Sequence, residues 1–375
     1  MQKVAKILKK PITSTMIAIF CGFLVAAIVL AIAGYNPLQA FGSLFNGVFS
    51  SPKYISNTII KATPIILTAL SVAFAYKVGV FNIGAEGQYV ISAIAATMVG
   101  YTVNLPAVLE VPLVLMVGIV TGALYGGIVG WLKTKFGIHE VVSSIMLNRI
   151  ALYLSNFVVQ TNLFHQPNST STYPINPSAY TMLLPQWKTS TEGLAILRQN
   201  KWLYDVMVKT DINFGFLIAI ALAVFIWFLL YRSTKGYEFR AVGLNRDAAE
   251  FSGINVNRNV IQAMLIAGAL AGLAAALIIT GTKPHQVSTL STFENYGFNG
   301  LSVAFIAGGS PIGCIFAGLL FGGLIYGGQS IQADIGAPSE IINIMIGTIV
   351  FFVALTKIVP KLADKLEKRG AKHVE

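Results

Sequence analysis

Three polar side chains lie close together in a stretch of the sequence that is otherwise apolar. The segment 79–90, GVFNIGAEGQYV, carries Asn82, Glu86 and Gln88 together with three glycines. Glu86 follows Asn82 by four residues, so a helix would place both side chains on one face. A charged residue at the centre of a membrane helix costs about 2.5–3.5 kcal/mol on insertion scales. Such residues therefore need a structural or functional reason to be there.

Two interpretations of this segment are compatible with the sequence. In the first, Asn82 is the N-cap of a helix and Glu86 compensates the positive end of the same helix. In the second, the glycines break a helix that lines a translocation path, and the polar groups meet a solute. The segment 294–302, ENYGFNGLS, has a similar make-up and hints at a distant internal repeat.

The composition predicts an all-α membrane protein that crosses the bilayer many times. Of its 375 residues, 55% are hydrophobic and only 11% are charged, whereas about a quarter are charged in a soluble domain. The mean hydropathy is +0.70. Apolar runs of about 17–25 residues suit helices that cross a bilayer, and the alternating strands of a β-barrel are not evident.

We expect a single transmembrane domain over residues 1–375, a polytopic helix bundle of about ten spans with both termini in the cytoplasm. The spans are expected at 13–33, 57–76, 82–100, 107–132, 141–160, 212–231, 258–281, 293–309, 311–328 and 338–358. Residues 161–211 are an external loop with a short helix near 192–206, and 34–56 holds another short helix. Gly118, Gly122, Gly126 and Gly130 line one face of the fourth span, which favours close approach of another helix.

The short, glycine-broken segment 293–309 decides the topology. If the basic tail (Lys361, Lys365, Lys368, Arg369 and Lys372) is cytoplasmic, this segment must cross or nearly cross the bilayer. A re-entrant hairpin would lower the number of spans and move the tail to the other side.

The net charge of +11 comes from basic residues beside the spans, which indicates cytoplasmic loops facing anionic lipid rather than nucleic acid. Cys21 and Cys314 are interpreted as small buried hydrophobes. We find no metal-ligand spacing and no catalytic set, so the sequence predicts neither an enzyme nor a cofactor or metal site.

A polar segment at 233–258, STKGYEFRAVGLNRDAAEFSGINVNR, is expected in a cytoplasmic loop spanning about 232–257. Residues 245–251 are predicted to form a short helix, with Asn245 as its N-cap and Asp247 near the positive end of the helix dipole. Gly253 offers a stop, and Gly243 and Gly253 bracket the helix. It is either an incidental helical turn or a rigid knob for a partner protein.

Three motifs in this chain resemble those of one transporter family. The pattern G-x-x-x-R-A-V-G-x-N-x-x-A-A-x-x-x-G-I from Gly236 to Ile254 resembles the coupling loop of bacterial ABC-importer permeases of the branched-chain amino acid, ribose and nucleoside class. GVFNIGAEGQ and YGFNGLSVAFIAGGSPIG resemble two further signatures of the nucleoside and simple-sugar subgroup. With these three motifs, the chain resembles permeases that work beside a basic-membrane-protein type lipoprotein.

The resemblance implies a nucleoside permease of the bacterial cytoplasmic membrane. It implies a cytoplasmic ABC ATPase, an external substrate-binding lipoprotein and a second permease chain that makes a heterodimer. The chain has no G-x-x-x-x-G-K-[ST] phosphate loop, so it does not hydrolyse ATP by that route. The implied ATPase contacts are Arg240, Gly243, Asn245, Arg246, Asp247, Ala248, Ala249, Gly253 and Ile254.

A neutral nucleoside calls for amides, hydroxyls and aromatic rings along its path. The candidates are Asn82, Glu86, Gln88, Asn295, Tyr296, Phe298, Asn299 and Ser302, with Phe298 available to stack on a base. Two alternatives stay open: an ABC permease for ribose or another simple sugar, and an ion-coupled secondary transporter in which Glu86 binds the cation.

Overall fold

The structure, a computed structural model, describes residues 11–355, so the basic lead before residue 11 and the predicted basic tail lie outside it. The described residues form α-helices and short connections, with three isolated β-bridges in the loops. The helices are α1 (Pro11–Ile32), α2 (Pro37–Phe49), α3 (Pro52–Lys77), α4 (Ala85–Thr102), α5 (Ala107–Phe136), α6 (Glu140–Val159), α7 (Thr191–Arg198), α8 (Lys201–Met207), α9 (Gly215–Arg232), α10 (Thr234–Leu244), α11 (Arg246–Phe251), α12 (Val256–Gly281), α13 (Tyr296–Ile306), α14 (Pro311–Ile335) and α15 (Ser339–Ala354).

Six of these helices are long and apolar enough to cross a membrane, namely α3, α5, α6, α9, α12 and α14. Shorter apolar helices lie at Met16–Ile32, Tyr296–Ile306 and Ser339–Phe352. The all-α, multi-pass architecture expected from the sequence is therefore confirmed. The count of about ten spans and the side of each terminus stay predictions.

The described residues form two compact units, of which the smaller comprises residues 11–50 and 323–355. Within its described part, α1 packs closely on α15, because a Cβ at Gly22 would lie 3.0 Å from the Cα of Ile349. The ring of Phe23 meets Phe41 of α2 edge-on at 5.2 Å. The predicted short helix between the first two spans is confirmed as α2.

The larger unit, residues 51–322, is built around two buried helices. The most apolar part of α3 is 89% buried and that of α12 is 78% buried, whereas the same measure for α5 is 22%. Apolar side chains left uncovered on outer helices are normal where lipid is the solvent. The buried pair is the frame that positions the functional segments.

The glycines of α5 provide the close helix contact that the sequence predicts, and the partner is α12. A Cβ at Gly122 would lie 2.8 Å from the Cα of Gly272, and one at Gly126 would lie 3.1 Å from the Cα of Gly268. Small residues let helix backbones approach and gain van der Waals contact, which stabilises helix pairs in lipid.

The segment 293–309 contains a half-length helix, α13, preceded by non-helical chain. Its 11 residues reach about 17 Å, roughly half of the hydrocarbon thickness. The helix begins beside the middle of α3, where the Thr68 hydroxyl donates to the Tyr296 carbonyl at 2.8 Å. It ends near the last turn of α3, with Phe305 5.7 Å from the Tyr76 ring.

The long loop 161–211 differs from the prediction in one respect: it contains two short helices, α7 and α8, instead of a single helix near 192–206. Ser190 caps the first by accepting from Gly193 N–H. Asn200 caps the second by accepting from Trp202 N–H. A new N-cap in mid-segment explains the break, because its extended backbone interrupts the first helix.

Candidate functional site

Asn82 and Gln88 form a reciprocal amide pair in the interior of the larger unit. The Asn82 Nδ2 donates to the Gln88 Oε1 at 2.9 Å, and the Gln88 Nε2 donates to the Asn82 Oδ1 at 3.0 Å. Asn82 Nδ2 also donates to the Ser71 Oγ at 2.9 Å. The N-cap of α4 is Gly84, without a side-chain cap. The interpretation of Asn82 as the N-cap is therefore wrong, because its amide is used by Gln88 and Ser71.

Asn148 of α6 fixes the first turn of α4 from outside. Its Oδ1 accepts from the Gly87 N–H at 2.8 Å, and its Nδ2 donates to the Ile83 carbonyl at 3.1 Å. It satisfies a backbone donor that a helix start leaves without a partner. This role of Asn148 was not predicted, because its only signal in the sequence is an amide side chain within a predicted span.

Glu86 lies in the first turn of α4, but its carboxylate serves a different helix. One oxygen accepts from the Asn295 N–H at 2.8 Å and the other from the Gly297 N–H at 2.6 Å. These donors belong to the start of α13, so the Glu86 carboxyl group caps that helix and lies at the positive end of its dipole. The position of Glu86 in the first turn of α4 agrees with its interpretation as compensating that helix end, whereas its contact with α13 was not predicted. The two motifs that the sequence hinted were related are in direct contact.

The other predicted path residues lie along α13. Asn295 precedes the helix with a φ of 67°, and Phe298 packs edge-on against Phe293 at 5.7 Å. Asn299 and Ser302 are half-buried, and the Ser302 hydroxyl lies 3.4 Å from the Phe298 carbonyl. Whether these residues and the Asn82, Glu86 and Gln88 group line a solute path stays a prediction.

One cavity of about 230 Å³ lies beside the start of α13, and we call it the outer cavity. Of the predicted path residues only Tyr296 lines it, with its ring 5.1 Å from that of Tyr89. Other polar residues in its wall, not among the predicted path residues, are Lys61, Ser155, Thr282, Lys283, His285, Gln286, Ser288 and Glu294. Most come from α6 and the 282–290 loop, which no local motif connects with α13.

The predicted short helix at 245–251 is confirmed as α11. The Asn245 Oδ1 accepts from the Ala248 N–H at 3.1 Å, so Asn245 is its N-cap. Asp247 lies in the first turn, and Gly253 follows the helix with a φ of 81°. Gly243 does not bracket α11 as expected, because it lies inside a preceding helix, α10, in the segment expected as a cytoplasmic loop.

The α10–α11 segment rests on the turn that opens the GVFNIGAEGQ motif. The Arg246 Nη2 donates to the Gly79 carbonyl at 2.8 Å. Gly243 allows close approach, since a Cβ there would lie 2.9 Å from the carbonyl carbon of Lys77. The two glycines, in α10 and in the turn, therefore make a backbone contact that a larger residue would block.

The outward face of α11 is uncovered in this chain. Phe251 is 95% exposed and Leu244 is 87% exposed. Asp247 and Ala248 are exposed as well, whereas Ala249 is buried and Ile254 half-buried. Arg240 lies behind them, with its guanidinium 5.4 Å from the Tyr231 ring. Exposed apolar anchors on a rigid, capped helix are suited to insertion into a partner protein.

No group of three or more potential metal ligands occurs among the residues at 11–355.

Comparison with known proteins identifies the family. A model of the branched-chain amino acid transport system permease component matches residues 54–354. The chain is 35% identical to the guanosine ABC transporter permease protein NupP of Bacillus subtilis (strain 168), over 95% of this chain and 97% of that protein. It is 36% identical to the nucleoside ABC transporter permease protein NupB of Lactococcus lactis subsp. cremoris (strain MG1363), over 93% and 92%.

More distant relatives include the glucose ABC transporter permease protein TsgB13 of Haloferax volcanii, 26% identical over 90% of this chain and 86% of that protein. The relatives also come in pairs. Bacillus subtilis has a second guanosine permease, NupQ, 29% identical over 70% of this chain, and Lactococcus lactis has NupC, 25% identical over 71%.

No solved structure matches the chain significantly. The family model covers 54–354, and two relatives above 30% identity are matched over nearly their full length. The chain therefore belongs to the permease components of the branched-chain amino acid transport system family, and it is a multi-pass membrane permease rather than an enzyme.

Proposed function

We propose that this chain is the permease subunit of an ATP-driven ABC importer that carries nucleosides across a bacterial cytoplasmic membrane. The observation that carries the ATP-driven role is the exposed, capped helix α11 seated on the turn at Gly79. The nucleoside class is supported by the names of the two relatives at 35% and 36% identity.

The contacts suggest how the motion of an ATPase reaches the membrane. The predicted coupling residues lie in α11 or beside it in the chain. They are Arg240, Gly243, 245–249, Gly253 and Ile254. A shift of α11 moves Gly79 through Arg246. Gly79 opens the segment whose Glu86 holds the start of α13, and Tyr296 of α13 lines the outer cavity. A continuous set of hydrogen bonds and packed elements thus links the two ends of the larger unit.

The partners follow from the same role. The chain lacks a phosphate-loop motif, so a separate cytoplasmic ATPase supplies the energy, and an external lipoprotein delivers the solute. The paired relatives NupP with NupQ and NupB with NupC favour a heterodimer with a second permease chain.

The topology we propose has about ten spans in one permease domain, with both ends cytoplasmic. The ten are α1, α3, α4, α5, α6, α9, α12, the segment leading into and including α13, α14 and α15. The contacts of α13 with Thr68 at its start and with Tyr76 near its end support a crossing of the eighth segment.

Cysteine accessibility tests the eighth crossing. We expect Ser291→Cys to react with an impermeant maleimide added outside intact cells and Ser310→Cys to react only after the membrane is opened. Labelling of both cysteines from the same side would contradict the proposed crossing.

Uptake tests the function itself. Cells that lack this chain should lose the uptake of labelled guanosine or uridine and regain it when the gene is restored. Uptake of ribose or glucose in place of nucleosides would favour the sugar alternative, towards which the similarity to a glucose permease points.

A second experiment separates ATP-driven import from ion-coupled transport. Replacing 245–251 by a Gly/Ser linker should leave the protein inserted, as judged by its amount in isolated membranes, and abolish nucleoside uptake. Unchanged uptake with the linker, or transport by the purified chain alone on an ion gradient, would overturn the assignment.

A further inference from the structure

The outer cavity lies at the end of α12 that is remote from the coupling segment. Residues of α12 before Val260 adjoin α11, whereas Ile278 and Ile279 line the cavity. The 26 residues of α12 extend over roughly 39 Å, which is more than the hydrocarbon thickness of about 30 Å. The cavity therefore faces the side from which a solute would enter an importer.

His285, in the wall of this cavity, has a ring nitrogen without a partner. Its ring stacks on Tyr180 at 3.8 Å, and its Nδ1 lies 2.9 Å from the Ile279 carbonyl. A carbonyl only accepts, so Nδ1 carries the hydrogen. Burial lowers the pKa of His285, so the ring is neutral near pH 7. Its Nε2 is then a free acceptor, and no protein group donates to it although the side chain is buried.

Ser155 of α6 supplies a second unused group. The residue is fully buried and lines the cavity, yet its Oγ has no hydrogen-bond partner in the protein. Other hydroxyls in the buried helices, such as that of Thr280, bond to the carbonyl four residues earlier. A buried polar atom without a partner costs about 1–3 kcal/mol. Two such atoms in the wall of one cavity are available to bond to a guest that enters it.

The remaining wall is suited to a neutral ligand with hydroxyl groups and a flat ring. Glu294 lines the cavity. The Tyr89 hydroxyl donates to its carboxylate, and Lys61 is close enough to offset its charge. Tyr89 and Tyr296 add two neighbouring aromatic rings. A carboxylate accepts from two adjacent hydroxyls at once, and aromatic rings pack against the apolar face of a sugar or against a base.

We propose that the outer cavity binds the ribose of a nucleoside, with Glu294 accepting from its vicinal hydroxyls and with His285 and Ser155 bonding to its remaining polar groups. The inference rests on the proposed nucleoside transport and adds the residues that recognise the sugar. A 2′-deoxyribose lacks one of the two donors and leaves a carboxylate oxygen without its partner. Loss of a hydrogen bond to a charged group lowers affinity by about tenfold or more.

The test uses the whole importer in cells, with initial uptake of labelled guanosine and of labelled 2′-deoxyguanosine as the two measurements. Glu294→Gln removes the charged acceptor. Ser155→Ala removes a hydroxyl that bonds to nothing in the protein, so folding is not expected to suffer. Glu192→Gln is the matched control, because Glu192 is exposed in α7 and does not line the cavity. The external lipoprotein is the same in every strain, so differences between strains report on the permease.

We expect Glu294→Gln to raise the apparent KM for guanosine about tenfold and to reduce the ratio of guanosine to deoxyguanosine uptake. Ser155→Ala should raise this KM about threefold, and Glu192→Gln should match the wild type. Should Glu294→Gln fail to insert, the KM of Ser155→Ala decides. An unchanged KM in Ser155→Ala, or an unchanged ratio in an inserted Glu294→Gln, overturns the inference while nucleoside transport by the wild type still stands. A wild type that carries no nucleoside overturns the proposed function as well.

Discussion

The carboxylate of Glu86 accepts a 2.6 Å hydrogen bond from the backbone N–H of Gly297, 211 residues further along the chain. The contact requires a glycine at position 297, because a Cβ there would lie 2.5 Å from the Cα of Glu86. An acid that looks costly in an apolar segment is thus the cap of a half-length helix. It is also the point where two separate sequence motifs meet.

Removing this cap should destabilise the protein. Glu86→Ala leaves the buried Gly297 N–H without an acceptor, and we expect a loss of about 1–3 kcal/mol in the free energy of unfolding. Glu86→Gln keeps one acceptor oxygen and should lose less. Thermal unfolding of the purified protein in detergent measures both. Glu192→Ala, which removes an exposed carboxylate, should leave the midpoint unchanged, and a wild-type midpoint for Glu86→Ala would refute the capping role.

The Asn82 and Gln88 amides should behave as one unit. Each is the other's partner in two hydrogen bonds, so either single alanine variant leaves buried groups of the other unpaired. The double variant removes both sets, and its cost should therefore fall short of the sum of the single costs by about 0.5–3 kcal/mol.

A double-mutant cycle on the unfolding free energy measures this coupling. The control pairs Gln88 with Asn200, which caps a helix in the 161–211 loop, and should be additive within about 0.5 kcal/mol. Additive costs for Asn82 and Gln88 would show that the amide pair does not form.

The helical architecture was predictable because hydrophobic length and composition depend on local sequence alone. The same holds for α11, where an N-cap amide and a following glycine mark both ends. The glycine face of α5 also predicted a close helix contact. That the partner is α12 could not be predicted, because it depends on tertiary packing.

The hydrogen bonds of the site were less predictable, because they depend on which side chains the tertiary structure brings together. Asn82 has the residue type and position of an N-cap, but Ser71 and Gln88 compete for its amide and are buried beside it. Ser155 and His285 carried no motif at all. They become noticeable only when the fold buries them beside one cavity without partners.

The bond from Arg246 to Gly79 should be needed for coupling rather than for folding. Arg246 is exposed, and its Nη2 is held by the Gly79 carbonyl at 2.8 Å. Arg246→Ala should therefore lower nucleoside uptake several-fold while its amount in the membrane stays at the wild-type level. Arg198→Ala provides the matched control, since Arg198 is exposed in the 161–211 loop. Equal uptake in the two variants would argue against force transfer through Arg246.

The α5–α12 contact predicts opposite effects for the same substitution at two glycines. A Cβ at Gly122 would lie 2.8 Å from the Cα of Gly272, so Gly122→Ala must push the helices apart and should cost about 1–3 kcal/mol. Gly42 lies inside helix α2 with nothing within 4 Å of the added carbon. Gly42→Ala should therefore stabilise the protein by about 0.5–1 kcal/mol through helix propensity. Thermal unfolding in one detergent compares them directly, and a midpoint for Gly122→Ala at or above the wild-type value would mean that α5 and α12 are not in backbone contact.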